Sequence, residues 1–227
     1  MIPYGTFTFF LISFIVLIPV IILGFLGKRS YIYNGISTAI MIVLIFSSDK
    51  HNLFGQKYLS VQLISFIIYI IWQVGLIMFY YKSRQKNNTF AKFVTIMILS
   101  ILPLALVKVL QSTWLGGHQI HFHESKLIEF VGFLGISYVT FKSVQLIMEI
   151  RDGSIKEIKV GKLIQFISFF PTISSGPIDR YKRFVKDDKK VPTGGEYREL
   201  VLKAIHMIMI GFLYKYIIAY FLSLIHI

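Results

Sequence analysis

Long apolar stretches recur along this chain, at Thr6–Leu26, Tyr58–Tyr81, Phe90–Leu110, Leu127–Ile150 and Val201–Ser223. Each matches the ~20 residues that a helix needs to cross the hydrocarbon core of a bilayer. No water reaches a backbone N–H or C=O in lipid, so a spanning segment must satisfy its own polar groups, as a helix does. Gly35–Ser47 is shorter, and is adequate only if Tyr31–Asn34 lies in the interface. Hydrophobic residues make up 55% of the chain and charged residues 15%, more apolar surface than a soluble chain of 227 residues needs. Thr6–Leu26 does not read as a signal peptide, because no basic residue precedes it and it is too long for a cleaved apolar core. The expected fold is all-α: one polytopic membrane helical bundle over 1–227, with spans at about 6–26, 31–47, 58–81, 90–110, 127–150 and 201–223.

The net charge of +13 would suit a nucleic-acid partner, but its placement argues for a membrane. Lysines and arginines cluster in loops beside apolar spans, as the positive-inside bias requires. With the N-terminus outside, Lys28 and Arg29, then Lys82, Arg84 and Lys86, then Arg151, Lys156, Lys159 and Lys162 all face the cytoplasm. The aromatic residues sit in the spans and do not interleave a basic groove, so no nucleic acid is expected. With no cysteine in the chain, disulfides, thiolate nucleophiles and thiolate metal sites are excluded.

The alternation of sides breaks at FFPTISSGPIDRYKRF, Phe169–Phe184. Leu163–Ile173 is about half the length of a span, and Pro171 has no amide hydrogen and ends or kinks a helix. If that segment crossed, Arg180, Lys182, Arg183, Lys186, Lys189, Lys190 and Arg198 would put the most basic loop outside. Length and charge together point to a re-entrant segment over 163–177 that returns to the cytoplasm. Broken backbone at membrane depth persists only where protein buries it or water reaches it, so this is the expected site. The basic run after it suits either anionic lipid headgroups or an acidic protein. In the hydrophilic break KDDKKVPTGGEYREL, Thr193 and Glu196 have capping-box spacing, which starts the next helix near Gly194.

In the span Leu127–Ile150, Gly135, Tyr138, Lys142, Gln145 and Glu149 fall within about 80° of one another on a helix. A lysine near mid-span costs roughly 2.5–3.5 kcal/mol, so it should face the bundle or water. Lys142 and Glu149 lie two turns apart, about 10 Å, too far for an ion pair. The stripe is either a packing seam with Lys142 bonded to a neighbouring carbonyl, or part of a substrate or proton pathway. His118, His121 and His123 lie close in GGHQIHFHE, but only Glu124 offers a further ligand, and no metal is expected. His206 falls on the last span, where burial in helix packing is one reading and proton chemistry the other.

FFPTISSGPIDRYKRF resembles the F-F-P-x-x-x-x-G-P-I-x-R-[YF] signature of the membrane-bound O-acyltransferases. LGISYVTFKSVQLIMEIRDG (Leu134–Gly153) is similar to the G-I-S-[YF]-x-x-F element that precedes it in that family. The wording is nearest to the branch that transfers D-alanine to teichoic acids. The resemblance implies a bacterial plasma-membrane enzyme that passes D-alanine from a carrier-protein thioester toward lipoteichoic acid. No cofactor would be bound directly; the phosphopantetheine belongs to an acidic carrier protein at the cytoplasmic face. An accessory membrane protein of the D-alanylation system, lipoteichoic acid and membrane lipids would be the other partners. A related acyltransferase that acetylates an exported polysaccharide, or a non-catalytic transport or assembly subunit, is the alternative.

The resemblance covers roughly the first half of such a protein. The family's catalytic histidine is expected beyond residue 227, so the chain is expected to be C-terminally truncated and inactive alone. Its end, LSLIHI (Leu222–Ile227), resembles translated sequencing adapter; the same codons in an independently amplified genomic locus would refute that. The expected substrate-channel residues are Tyr138, Lys142, Ser174, Ser175, Gly176, Pro177 and Arg180. Pro171, Gly176 and Pro177 would set the break, Ser174 and Ser175 donate hydrogen bonds there, and Arg180 anchor a phosphate or carboxylate at the mouth.

Overall fold

The computed structural model describes residues 7–28, 31–46, 61–87, 89–111, 133–174, 176, 178–190 and 192–225. Every regular element among them is helical. The first four are α1 (Phe7–Phe25), α2 (Tyr31–Phe46), α3 (Val61–Lys86) and α4 (Phe90–Gln111). Then come α5 (Ile136–Arg151), the short α6 (Val160–Ser168), a 3-10 turn (Phe170–Thr172) and α7 (Tyr181–Lys189). The last is α8 (Gly194–Phe212), which continues through a π-helical stretch, Leu213–Ile218, into α9 (Ala219–Ile225).

Phe7–Phe25, Val61–Lys86, Phe90–Val109 and the continuous helix Gly194–Leu224 are long and apolar enough to cross a membrane, whereas Ile32–Phe46 is apolar but shorter. One boundary differs from the sequence-based expectation. The helix α3 runs on to Lys86 instead of stopping at Tyr81, and Arg84 and Lys86 in its last turn favour that extension by facing the negative end of the helix dipole. The helix of the last span begins at Gly194, as the capping-box spacing predicts, because Thr193 caps it. Glu196 N–H donates to Thr193 Oγ1 at 3.5 Å, and Thr193 N–H donates to Glu196 Oε2 at 3.1 Å, which forms the expected capping box. Of the expected span over 127–150, residues 127–132 lie outside the described residues.

The helix α5 packs against α3 and α4, and α6 packs against α2, α3 and α5. Burial follows: 44% of the α3 apolar window is buried, against 6% for α1 and none for Gly194–Leu224. The inner helices are therefore α3 and α5, while α1 and α8 present their apolar surface outward, as lipid-facing helices do. Phe46 and Phe66 stack at 4.9 Å, and Phe133 meets Phe66 at 5.5 Å and Tyr69 at 5.4 Å, joining α2, α3 and the approach to α5. At the other end of α5, the Arg151 guanidinium lies 4.2 Å from the Phe93 ring centroid and so ties α5 to the start of α4.

Lipid tails are as apolar as leucine, so membrane helices need packing detail and hydrogen bonds to choose their neighbours. Gln73, Ser100 and Thr140 are each wholly buried and supply them. The Gln73 amide donates to Tyr69 OH at 2.8 Å and to the Ser100 carbonyl at 3.0 Å, while its Oε1 accepts from Ser100 Oγ at 2.8 Å. Thr140 Oγ1 donates to the Ile136 carbonyl at 2.7 Å. That leaves Thr140 as acceptor for Tyr69 OH, 2.6 Å away. The donors thus run in one direction, from Gln73 through Tyr69 and Thr140 to Ile136, and clamp α3, α4 and α5 together. Replacing Gln73 by leucine leaves Ser100 Oγ without its acceptor and Tyr69 without its donor. We expect a loss of about 1–3 kcal/mol, seen as a lower unfolding midpoint in detergent; an unchanged midpoint would show that the network adds nothing to stability.

Candidate functional site

The two sequence motifs meet in space. Helix α6 is buried along Leu163, Phe166 and Ile167, and it stops at Ser168 because Phe169 adopts an extended ψ of 109°. Pro171 then lies in the first turn of the 3-10 segment, where a missing N–H leaves no bond unmade. Thr172 N–H donates to the Phe169 carbonyl at 3.1 Å and Ile173 N–H to the Phe170 carbonyl at 3.3 Å, which closes the turn. The turn sits against the start of α5. Gly135, the residue before that helix, has φ +90°, and any Cβ there would collide with the Ile173 carbonyl oxygen. A side chain at 135 would thus be excluded twice, by its own backbone and by its neighbour.

Lys142 projects from α5 onto the same turn and is 1% exposed. Its Nζ donates to Thr172 Oγ1 at 2.6 Å and stands 5.9 Å from the centroid of the Phe166 ring. Thr172 Oγ1 in turn donates to the Phe169 carbonyl at 3.3 Å. A hydrogen bond from a charged group contributes about 1.5–3 kcal/mol and a cation–π contact about 0.5–2 kcal/mol. Together they are of the size of the insertion cost of a mid-span lysine. The partner is a side-chain hydroxyl, where the packing-seam alternative had a neighbouring carbonyl.

Farther along the same stripe, Gln145 and Glu149 are half-buried and form one side of a cleft of about 510 Å³. Arg180, Lys182, Arg183 and Lys186 line the other side. Glu149 Oε2 is buried with no hydrogen-bond partner. Asp179 tempers the basic wall by pairing with Arg183 Nε at 2.8 Å. The basic wall keeps its shape because α7 is amphipathic. Tyr181 and Phe184 pack on Phe166 at 5.5 and 5.4 Å, and Lys162 of α6 pairs with Asp188. Four cations against two carboxylates, Glu149 and Asp152, leave the cleft net basic, so it can hold a phosphate or carboxylate, with Glu149 Oε2 available to accept a hydrogen bond.

The expected channel residues divide accordingly. Lys142 is at the turn, and Arg180, the exposed N-cap of α7, is in the cleft with Glu149. Tyr138 and Ser174 are half-buried, Tyr138 on α5 and Ser174 just past the turn, and Gly176 is exposed with φ +130°. Ser175 and Pro177 lie outside the described residues, as do the histidines at 118, 121 and 123. Lys142 does not line the Arg180 cleft. His206 is exposed on α8. Sequence reading missed Thr172; the signal was a hydroxyl placed directly after the proline that ends the helix.

No protein-family model matches the chain. It is 49% identical over 221 residues to the teichoic acid D-alanyltransferase of Bacillus subtilis (strain 168), covering 97% of this chain and 52% of that protein. Identity to the teichoic acid D-alanyltransferase of Lacticaseibacillus rhamnosus is 44%, over 96% of this chain and 50% of that protein. For the teichoic acid D-alanyltransferase of Streptococcus thermophilus (strain ATCC BAA-250 / LMG 18311) it is 35%, over 96% of this chain and 48% of that protein. The chain spans about half the length of the curated relatives it matches.

The Lys142–Thr172 contact can be tested without any activity. In Lys142→Met, the amide protons of Thr172 and Ile173 should exchange with solvent about tenfold faster or more, while those of α3 and α4 keep their rates. Unchanged exchange at the turn would show that the seat at Gly135 holds it alone.

Proposed function

We propose that this chain is part of a membrane-bound O-acyltransferase of the bacterial plasma membrane, acting in teichoic acid D-alanylation. The observation that carries this reading is the 49% identity to a teichoic acid D-alanyltransferase over 97% of the chain. The seating of the FFPTIS turn on the ISYVTFK helix supports it, since both halves of the resemblance to that family occupy one place in the fold.

In this reading an acidic carrier protein meets the cytoplasmic face and presents D-alanine as a thioester on its phosphopantetheine arm. The acceptor hydroxyl attacks the thioester carbonyl, a C–O bond forms as the C–S bond breaks, and the hydroxyl proton passes to the released thiol. Such a step needs a base for the hydroxyl and donors for the developing oxyanion. No described side chain is assigned as the base. The buried lysine and the hydroxyl of Thr172 keep the turn in place, and the half-buried Tyr138 and Ser174 flank it along the path. The cleft at Arg180 forms the mouth, where cations attract the carrier protein and the phosphate of its arm. The D-alanyl group then moves outward toward lipoteichoic acid, with an accessory membrane protein and membrane lipids as further partners.

The reading is tested in the full-length protein that contains these segments. Arg180→Ala should lower D-alanine ester content of lipoteichoic acid about fivefold or more, the effect of one near-surface charge, while the amount in the membrane stays constant by immunoblot. Unchanged esterification would remove Arg180 from the site. A wild-type protein that transfers acetyl but not D-alanyl groups would overturn the substrate assignment.

A further inference from the structure

A second cleft, of about 480 Å³, opens between α1, α2 and the start of α8, away from the cleft at Arg180. Its wall changes chemistry along its length. Val20, Leu23 and Leu200 form an apolar side, while Lys28 and Lys190, with one carboxylate at Asp187, stand at the rim. The change falls where two long apolar helices end: α1 closes at Phe25, and Lys190 precedes the capped start of Gly194–Leu224. Because both helices are long enough to cross a bilayer, this level is where hydrocarbon gives way to headgroups.

The cleft has fixed walls. A Cβ on Gly24 would fall on the Tyr197 ring, so that ring of α8 rests directly on the α1 backbone. Phe25 meets Tyr197 edge-on at 5.1 Å, and Phe10 meets Phe212 in the same way at 5.1 Å near the other end of the pair. These contacts set the helix separation, yet α8 contributes no buried residue. Space remains beside a contact that is otherwise thin.

We propose that this cleft holds one anionic membrane phospholipid, its phosphate between Lys28 and Lys190 and an acyl chain along Val20, Leu23 and Leu200. A lipid fits better than a protein or a free anion for a steric and a chemical reason. Val20 and Leu23 lie within the α1 span, where a soluble partner cannot follow. A free phosphate would meet the lysines and leave the apolar wall uncovered. Basic pockets between spans near the headgroup level bind anionic lipid in this way. The occupant would complete the α1–α8 contact, independently of any transfer reaction.

The test uses the full chain in a neutral maltoside detergent and counts bound lipid by native mass spectrometry. Phosphatidylglycerol and phosphatidylcholine with identical acyl chains are compared, with glycerol phosphate as competitor. Wild type should retain one phosphatidylglycerol at concentrations where phosphatidylcholine is not retained. The Lys28→Glu/Lys190→Glu double variant should bind it roughly 30-fold more weakly or worse, since each basic group near the surface contributes about fivefold. Val20→Trp, which keeps both lysines and fills the apolar side, should also lose retention, and this covers the case in which the charge reversal fails to fold. Equal retention of the two lipids by wild type, full retention by a folded double variant, or displacement by glycerol phosphate alone would each overturn the proposal.

Discussion

A helix that stops inside an apolar bundle leaves backbone groups that must find partners, and this need at Ser168 organises the centre of the molecule. The 3-10 turn bonds the Phe169 and Phe170 carbonyls just past the helix with its own amides, and Lys142 takes hold of the Thr172 hydroxyl from the side. A buried ammonium would be costly alone, and so would a broken turn. Placed together they offset one another. Gly135 allows the approach by lacking the Cβ that would strike Ile173, and the resulting contact places α6 against α5. Without that seat, α7 and the basic cleft would have no fixed base, because α7 is anchored through Phe166 and Lys162 of α6.

Burial in this protein is graded because the driving forces in lipid are different from those in water. The apolar surface of α1 and α8 has no reason to turn inward, and aromatic contacts such as Phe10 with Phe212 suffice to join them. The inner helices are selected by polar side chains instead. Gln73 and Ser100 face each other across α3 and α4, and Tyr69 carries the chain of donors on to Thr140 of α5. The mid-helix cation Lys215 is accommodated in the same spirit, 5.8 Å from the Phe10 ring and 5.3 Å from the Tyr216 ring.

In the acyl-transfer reading, the molecule separates two tasks that the polar stripe on α5 merges when drawn on a helical wheel. Lys142 is a structural cation that holds the turn. Gln145 and Glu149 open onto a charged cleft facing Arg180 and Lys182. The likeness to teichoic acid D-alanyltransferases runs across nearly all of this chain but only about half of each relative.

Much of the architecture was legible in the residues because membrane helices are written in composition and length. The apolar runs became α1, α3 and α4, the Thr193–Glu196 pair became a capping box, and Pro171 marked a helix end. These are local outcomes of missing backbone donors, side-chain caps and the insolubility of peptide groups in lipid. What the residues alone left open was partnership. Whether Lys142 met a carbonyl, a hydroxyl or a substrate depended on which segment folded against α5, and only the packed turn supplied Thr172. His206 is exposed because α8 lies at the periphery of the described residues, a fact set by its neighbours and not by its own apolar sequence. Sequence by itself determined the helices, their polarity and the place of the break, since each follows from short-range chemistry. Tertiary structure decided which polar groups meet, because a hydrogen bond needs two partners and the second lies elsewhere in the chain.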